Sequence, residues 1–132
     1  MASDRLLQLG GELAKLSAET EAALKDQLPP FAARGNPVDV AEDADPQRYE
    51  AAAQALMDDP NCDGVLAIVT PQAVSDPVAT AQALVKVART RQLKPLLAAC
   101  MGEIKVAGAV RTFRDARVPV FRTPEEAVRA YM

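Results

Sequence analysis

Thr70, Gln72 and Ser75 stand close together between an apolar run, Val65 to Val69, and a helical pattern that opens at Asp76-Pro77. Hydroxyl and amide groups at a helix start lie beside free backbone N–H groups and a partial positive charge, a setting that favours phosphate or another anion. The simpler alternative is that Ser75 and Asp76 only cap the helix, which requires no ligand. No glycine-rich fingerprint occurs here, so the backbone has less freedom to wrap a pyrophosphate. Asn36 and Asp39 flank Pro37 and either face the same crevice or satisfy the backbone of their own loop. Gly102 and Glu103 follow a second apolar run and complete the candidate crevice. Glu103 either meets a helix dipole or acts as an acid, but one carboxylate without a partner is thin support for acid–base chemistry. Arg111, Arg114, Arg117 and Arg122 read as solvated faces rather than a phosphate clamp.

The chain of 132 residues contains no histidine. That removes Ser-His and Cys-His nucleophiles, histidine metal sites and a phosphohistidine carrier from whatever these residues do alone. Cys62 and Cys100 are far apart and in no metal-like spacing, which fits two reduced thiols and a cytoplasmic location. With a net charge of −3 and interspersed charges, no basic block or aromatic set points to nucleic acid. No apolar run approaches the ~20 residues of a membrane span, and no signal-peptide core is present.

The elements that must position these residues alternate between strand and helix. Ser3 to Leu9 reads as a helix stopped by Gly10-Gly11, and Glu12 to Leu16 as a short edge strand. Ser17 caps a helix through Gln27, ended by Leu28-Pro29-Pro30. Asn36 to Val40 reads as a short strand. Asp45-Pro46 opens a helix with an acceptor at the cap and proline in the first turn, and Ala52, Ala55 and Leu56 are its expected buried stripe. Val65 to Val69 is five apolar residues, a pattern expected of a parallel strand buried on both faces. Asp76-Pro77 repeats the cap, with Val78, Ala81, Leu84, Val85 and Ala88 along one helix face. Leu96 to Cys100 is a second two-faced strand. Gly102 leads into a helix holding Ile104, Ala107, Val110 and Phe113, and Val118 to Phe121 is the last strand. Thr123-Pro124-Glu125-Glu126 opens the last helix, with Glu126 placed for a capping box. Three strands each followed by a helix imply a three-layer α/β/α parallel fold in one domain. Strand carboxyl ends, where Thr70 sits, are where such folds form their crevices.

The order Asn36-Pro37-Val38-Asp39-Val40, Tyr49 with an alanine-rich helix, Asp63 to Val69, Thr70-Pro71, Lys94-Pro95-Leu96-Leu97, Met101-Gly102-Glu103 and Val118 to Val128 resembles one known family. It is that of the second flavodoxin-like domain of NDP-forming acyl-CoA synthetases, the succinyl-CoA synthetase superfamily, including the synthetase-like region of Gcn5-fused acetyltransferases. The resemblance spans residues 1–132 and implies a single CoA-ligase-like flavodoxin domain, a fragment or module of a larger synthetase. It implies that a helix N-terminus, here the Thr70 to Asp76 loop and the helix from Pro77, stabilises a phosphohistidine from a neighbouring domain. The isolated chain is then expected to be inactive and to bind no cofactor by itself, with CoA and ADP/ATP belonging to the full enzyme. The implied partners are the CoA-binding, histidine-bearing and ATP-grasp domains or subunits.

In succinyl-CoA synthetases the corresponding loop is glycine-rich, whereas here it is Thr-Pro-Gln-Ala. Family members also begin with a strand that this chain lacks, so an exposed strand edge and self-association are expected. The alternative function is an acyl-CoA-sensing or protein-interaction module of a synthetase-like acetyltransferase. A receiver-like domain requires an acidic cluster, for which Asp39 is the only good candidate.

Overall fold

Two apolar pentads carry the sheet. The computed structural model describes residues 2–29, 35–41, 44–70, 76–91 and 93–132. Strands β1 (Val65–Val69) and β2 (Leu96–Cys100) run parallel, with Val65 opposite Leu96 and Val69 opposite Cys100. Strand β3 (Val120–Phe121) joins the far side of β2, giving the order β1-β2-β3. It is shorter than expected because Pro119 has no N–H to offer a ladder, although its carbonyl accepts from Ala98. Val118 leaves the strand and is buried in the core instead.

Helices α1 (Ala2–Gln8), α2 (Ala18–Gln27) and α3 (Pro46–Asp58) precede the sheet. Helix α4 (Pro77–Thr90) connects β1 to β2, α5 (Ala107–Asp115) connects β2 to β3, and α6 (Pro124–Tyr131) follows β3. Helices α1 and α6 pack together on one side of the sheet, while α3, α4 and α5 lie side by side on the other. The result is the expected three-layer parallel α/β fold.

Local chemistry accounts for most boundaries. Asp45, Asp76 and Thr123 each accept the N–H three residues on, at 2.8, 3.1 and 3.2 Å, with proline in the first turn behind them. Ser17 does the same for Thr20. The box at α6 is offset, since Glu126 accepts from the Arg122 N–H rather than from Thr123. Gly10 closes α1 with φ of 84°, and the Gly11 N–H returns to the Leu6 carbonyl at 2.9 Å. This left-handed closure suits glycine because a side chain strains there.

Several expectations are corrected. Glu12 to Leu16 and Asn36 to Val40 are not strands among the described residues. Asn36 donates to the Ala14 carbonyl, and the Asp39 carboxylate accepts from the Ala41 N–H, so local bonds replace a ladder. Strand β1 is not buried on both faces. It forms an edge, and Ile68 is 37% exposed. The buried stripe of α3 is Ala52, Ala53 and Met57, because the helix serves two cores. Ala53 and Met57 face the main cluster with Val65, Leu84 and Phe113, whereas Ala52 joins Leu16, Leu24, Leu28 and Cys62.

At the amino ends of the strands, Asp59 is 1% exposed. Its carboxylate accepts from the Ser17 and Asn61 N–H groups, both at 2.8 Å, and its carbonyl accepts from Lys94 Nζ. Burial alone would raise this carboxyl, but the backbone bonds from Ser17 and Asn61 and the Thr20 and Ser17 hydroxyls outweigh it and hold it below its usual range. Replacing Asp59 by Ala strands two N–H groups, so urea unfolding of D59A is expected to show a loss of about 2–4 kcal/mol. Because the folded value is depressed, the wild-type advantage is present above about pH 4 and is lost as pH falls below it.

Candidate functional site

The carboxyl ends of β1 and β2 bring Thr70 and the Met101-Gly102-Glu103 turn to one edge. Met101 donates its N–H to the Val69 carbonyl at 3.0 Å, which fixes the two exits side by side. Thr70 is half-buried there, and Gln72 and Ser75 lie outside the described residues. Gly102 has φ of 116° and Glu103 φ of 44°. Both are left-handed, so the chain turns sharply out of β2 before a 3-10 turn over Glu103–Val106. Glu103 is exposed. The tighter 3-10 winding rotates Ile104 out of the core, leaving it 89% exposed rather than buried as the helical pattern implies.

Helix α4 starts at the same edge, and its first turn is already heavily used. Pro77 has no N–H, the Ala79 N–H is taken by the Asp76 carboxylate, and the Thr80 N–H bonds to the Asp76 carbonyl. Val78 carries the one first-turn N–H outside these bonds. Asp76 also places a negative charge where an anion would arrive, which weakens the pull of the helix end. The acidic cap was legible in the Asp-Pro pair; its competition with a ligand follows only from the geometry.

Asn36 and Asp39 lie on the α3 side of β1. Asn36 bonds to Ala14, whose neighbour Lys15 accepts from Asn61 just before β1, so it stands at the amino end of the strand. Asp39 stands close to Tyr49, whose hydroxyl donates to the Ile68 carbonyl at 3.3 Å. Burial first, and then the Asp39 charge, push the Tyr49 hydroxyl above its ordinary value. Asn36 and Asp39 are therefore at opposite ends of their segment, and Asp39 is the nearer of the two to the Thr70 edge.

One feature was not singled out from sequence, and one read there as a reduced thiol gains a setting. Thr80 Oγ1 is fully buried in the first turn of α4 without a hydrogen-bond partner among the described residues. On a helix pattern a threonine passes for one more small buried residue. The Cys100 thiol, at the end of β2 directly before Met101, is pushed by burial from 9.0 to about 11. It is a packed, protonated thiol rather than a nucleophile.

With this geometry, the chain belongs to the Ligase-CoA domain family, whose sequence profile matches residues 1–131. It is 36% identical over 130 residues to acetate–CoA ligase [ADP-forming] I of Archaeoglobus fulgidus, covering 98% of this chain and 18% of that protein. It is 32% identical to subunit alpha of acetate–CoA ligase [ADP-forming] II of Pyrococcus furiosus, covering 98% of this chain and 29% of the subunit. Among solved structures, it superposes with a TM-score of 0.90 and 27% identity on the dinucleotide-forming acetyl-coenzyme A synthetase 1 of Ca. Korarchaeum cryptofilum, in complex with phosphate and ADP, over 98% of this chain and 28% of that one. A protein of Pyrococcus horikoshii gives a TM-score of 0.92 at 30% identity, over 98% of this chain and 30% of that one. The chain thus spans less than a third of these relatives. Among the described residues, no helix is long and apolar enough to cross a membrane.

Two outcomes follow from the edge. Any side chain at Gly102 is forced into a strained backbone, so Gly102→Val is expected to lower stability by about 1–3 kcal/mol in urea unfolding. The Cys100 thiol is raised on folding, so its stabilisation is full below about pH 9 and is lost as pH rises toward about 11. Melting temperatures should fall across that interval more steeply for wild type than for Cys100→Ala, the difference separating this thiol from Tyr49.

Proposed function

We propose that this domain works within an ADP-forming acyl-CoA synthetase, assisting formation of an acyl-CoA from acid, coenzyme A and nucleoside triphosphate. The ADP-forming acetate–CoA ligases among its relatives support that reading, as does a chain that spans only part of them. In this role, the Thr70 to Asp76 loop and the start of α4 steady a phosphohistidine that another domain swings to this edge. Thr70, Gln72 and Ser75 supply polar contacts, and Gly102 and Glu103 form the opposite lip. The observation that carries the reading is the start of α4 beside the end of β1, in a chain with no histidine of its own.

The physical work is electrostatic. A phosphorylated imidazole carries negative charge on its phosphoryl oxygens, and a helix start lowers the energy of that charge without supplying a proton. With Asp76 in place, the effect is modest, on the order of 1 kcal/mol, or about fivefold. Coenzyme A and ADP or ATP are bound elsewhere in the full enzyme, and the covalent phosphate stays on the partner histidine.

The test combines this chain with the CoA-binding, histidine-bearing and ATP-grasp parts and follows radiolabelled phosphoenzyme after excess nucleotide is removed. The chain is expected to lengthen the phosphoenzyme lifetime several-fold and to be required for acyl-CoA formation. Val78→Pro removes this first-turn donor and should shorten the lifetime, with the melting temperature recorded beside it because a proline after Pro77 strains the helix start. An unchanged lifetime with and without the wild-type chain would overturn the phosphohistidine role.

A further inference from the structure

Charge is unevenly spread along this chain. Residues 1–63 hold thirteen acidic and five basic side chains, whereas residues 64–132 hold five acidic and ten basic ones. The fold turns that imbalance into a gradient across the helical layer, because α2 packs on α3, α3 on α4 and α4 on α5. Where the two halves meet, the charges pair. Lys86 reaches Glu50 at 3.0 Å, and Arg91 reaches Asp58 at 2.8 Å. Beyond α4 the pairing stops. Lys105, Arg111, Arg114 and Arg117 are exposed along α5, from the 3-10 turn before it to the residue that closes it. None of these four side chains has an ion pair or hydrogen bond among the described residues.

Arg117 is held there against its backbone preference. Helix α5 closes through two bonds, from the Val118 N–H to the Phe113 carbonyl at 2.9 Å and from the Arg117 N–H to the Arg114 carbonyl at 3.0 Å. That closure puts residue 117 at φ of 61°, the left-handed position that glycine fills most readily. An arginine here adds strain without adding a contact, since its side chain is exposed and unpaired. Strain that serves nothing inside the fold points to a use outside it.

The start of α5 adds an apolar element. Ile104 is 89% exposed in the 3-10 turn, which packs on α4, and Val78 of α4 lies against Gly108 in the first turn of α5. Arginines around an exposed aliphatic group match the composition of protein–protein contacts. A planar guanidinium also meets a carboxylate through two hydrogen bonds at once. Nucleic acid fits less well. Phe113, the one aromatic residue of α5, is fully buried and offers no ring to a base, and Asp115 on the same helix repels phosphate. A membrane surface requires a broad apolar face, whereas the exposed positions of α5 are alanine, glycine, arginine and aspartate.

We infer that the face formed by Ile104, Lys105, Arg111, Arg114 and Arg117 docks an acidic protein surface, with Ile104 in an apolar socket ringed by carboxylates that pair with the arginines. The partner is another part of the synthetase in which the domain works, consistent with a chain that spans less than a third of its relatives. The inference rests on that reading, though not on the phosphohistidine. The gradient then fixes the domain's orientation, with the acidic α2 and α3 turned away from the contact.

Calorimetric titration of the chain with the separately prepared CoA-binding, histidine-bearing and ATP-grasp parts tests it. One part should bind, about tenfold more weakly at about 300 mM than at about 50 mM salt. Reversing two charges together, Arg111→Glu with Arg114→Glu, should weaken binding about 30-fold, and Ile104→Ser about tenfold. Arg129→Glu on α6, in the other helical layer, should leave it within about twofold, which separates docking from net charge. Arg117→Gly should raise the melting temperature by about 3 °C while weakening binding about fivefold. Equal affinity of the wild-type and doubly reversed chains, in a mixture that requires the chain to form acyl-CoA, would overturn the docking face and leave the synthetase reading standing. A mixture that neither binds nor requires the chain would overturn both. Arginine-dependent binding to duplex RNA or to phosphatidylserine vesicles, with none to the three parts, would overturn the acidic protein partner.

Discussion

A single buried carboxylate holds the amino-terminal side of the domain together. Asp59 ends α3, receives the N–H that starts α2, receives the N–H that turns the chain toward β1, and through its carbonyl engages Lys94 at the approach to β2. A charge this deep is tolerated only when every lone pair has a donor, and here the donors come from segments far apart in sequence. The Ser17 bond ties the start of α2 to the end of α3, and the Lys94 bond ties the approach to β2 to the same point.

Where local chemistry decides a boundary, the amino-acid order was enough. Asp45-Pro46, Asp76-Pro77 and Thr123-Pro124 open helices because an acceptor followed by proline leaves few other backbone choices, and Gly10-Gly11 closes α1 for a similar reason. The pentads Val65–Val69 and Leu96–Cys100 are strands as read. What pattern could not reveal depended on neighbours. Asn36 to Val40 has strand-like residues but no strand beside it, so its polar ends bond locally. Ile104 follows a helical spacing that the 3-10 turn at Glu103 interrupts. The α3 stripe shifts because one helix must face two apolar clusters, which periodicity cannot anticipate.

The candidate site was legible as a location more than as a mechanism. Sequence placed Thr70 and Glu103 near strand ends, and the fold brings their turns together. It also gave Asp76 as the cap, but not the consequence that a cap seated on the Ala79 N–H leaves the start of α4 with less to offer an anion than a glycine-rich loop would. Around it stand the left-handed Gly102-Glu103 turn and the buried end of β2.

Two buried groups of this domain keep one protonation state around neutrality. Asp59 has given up its proton well before neutrality, and the Cys100 thiol keeps its own until about pH 11. With no imidazole anywhere, no histidine adds a change of charge between about pH 6 and 8. Around neutrality the buried carboxylate is therefore held as a charge and the buried thiol as a neutral group, each by the packing that surrounds it.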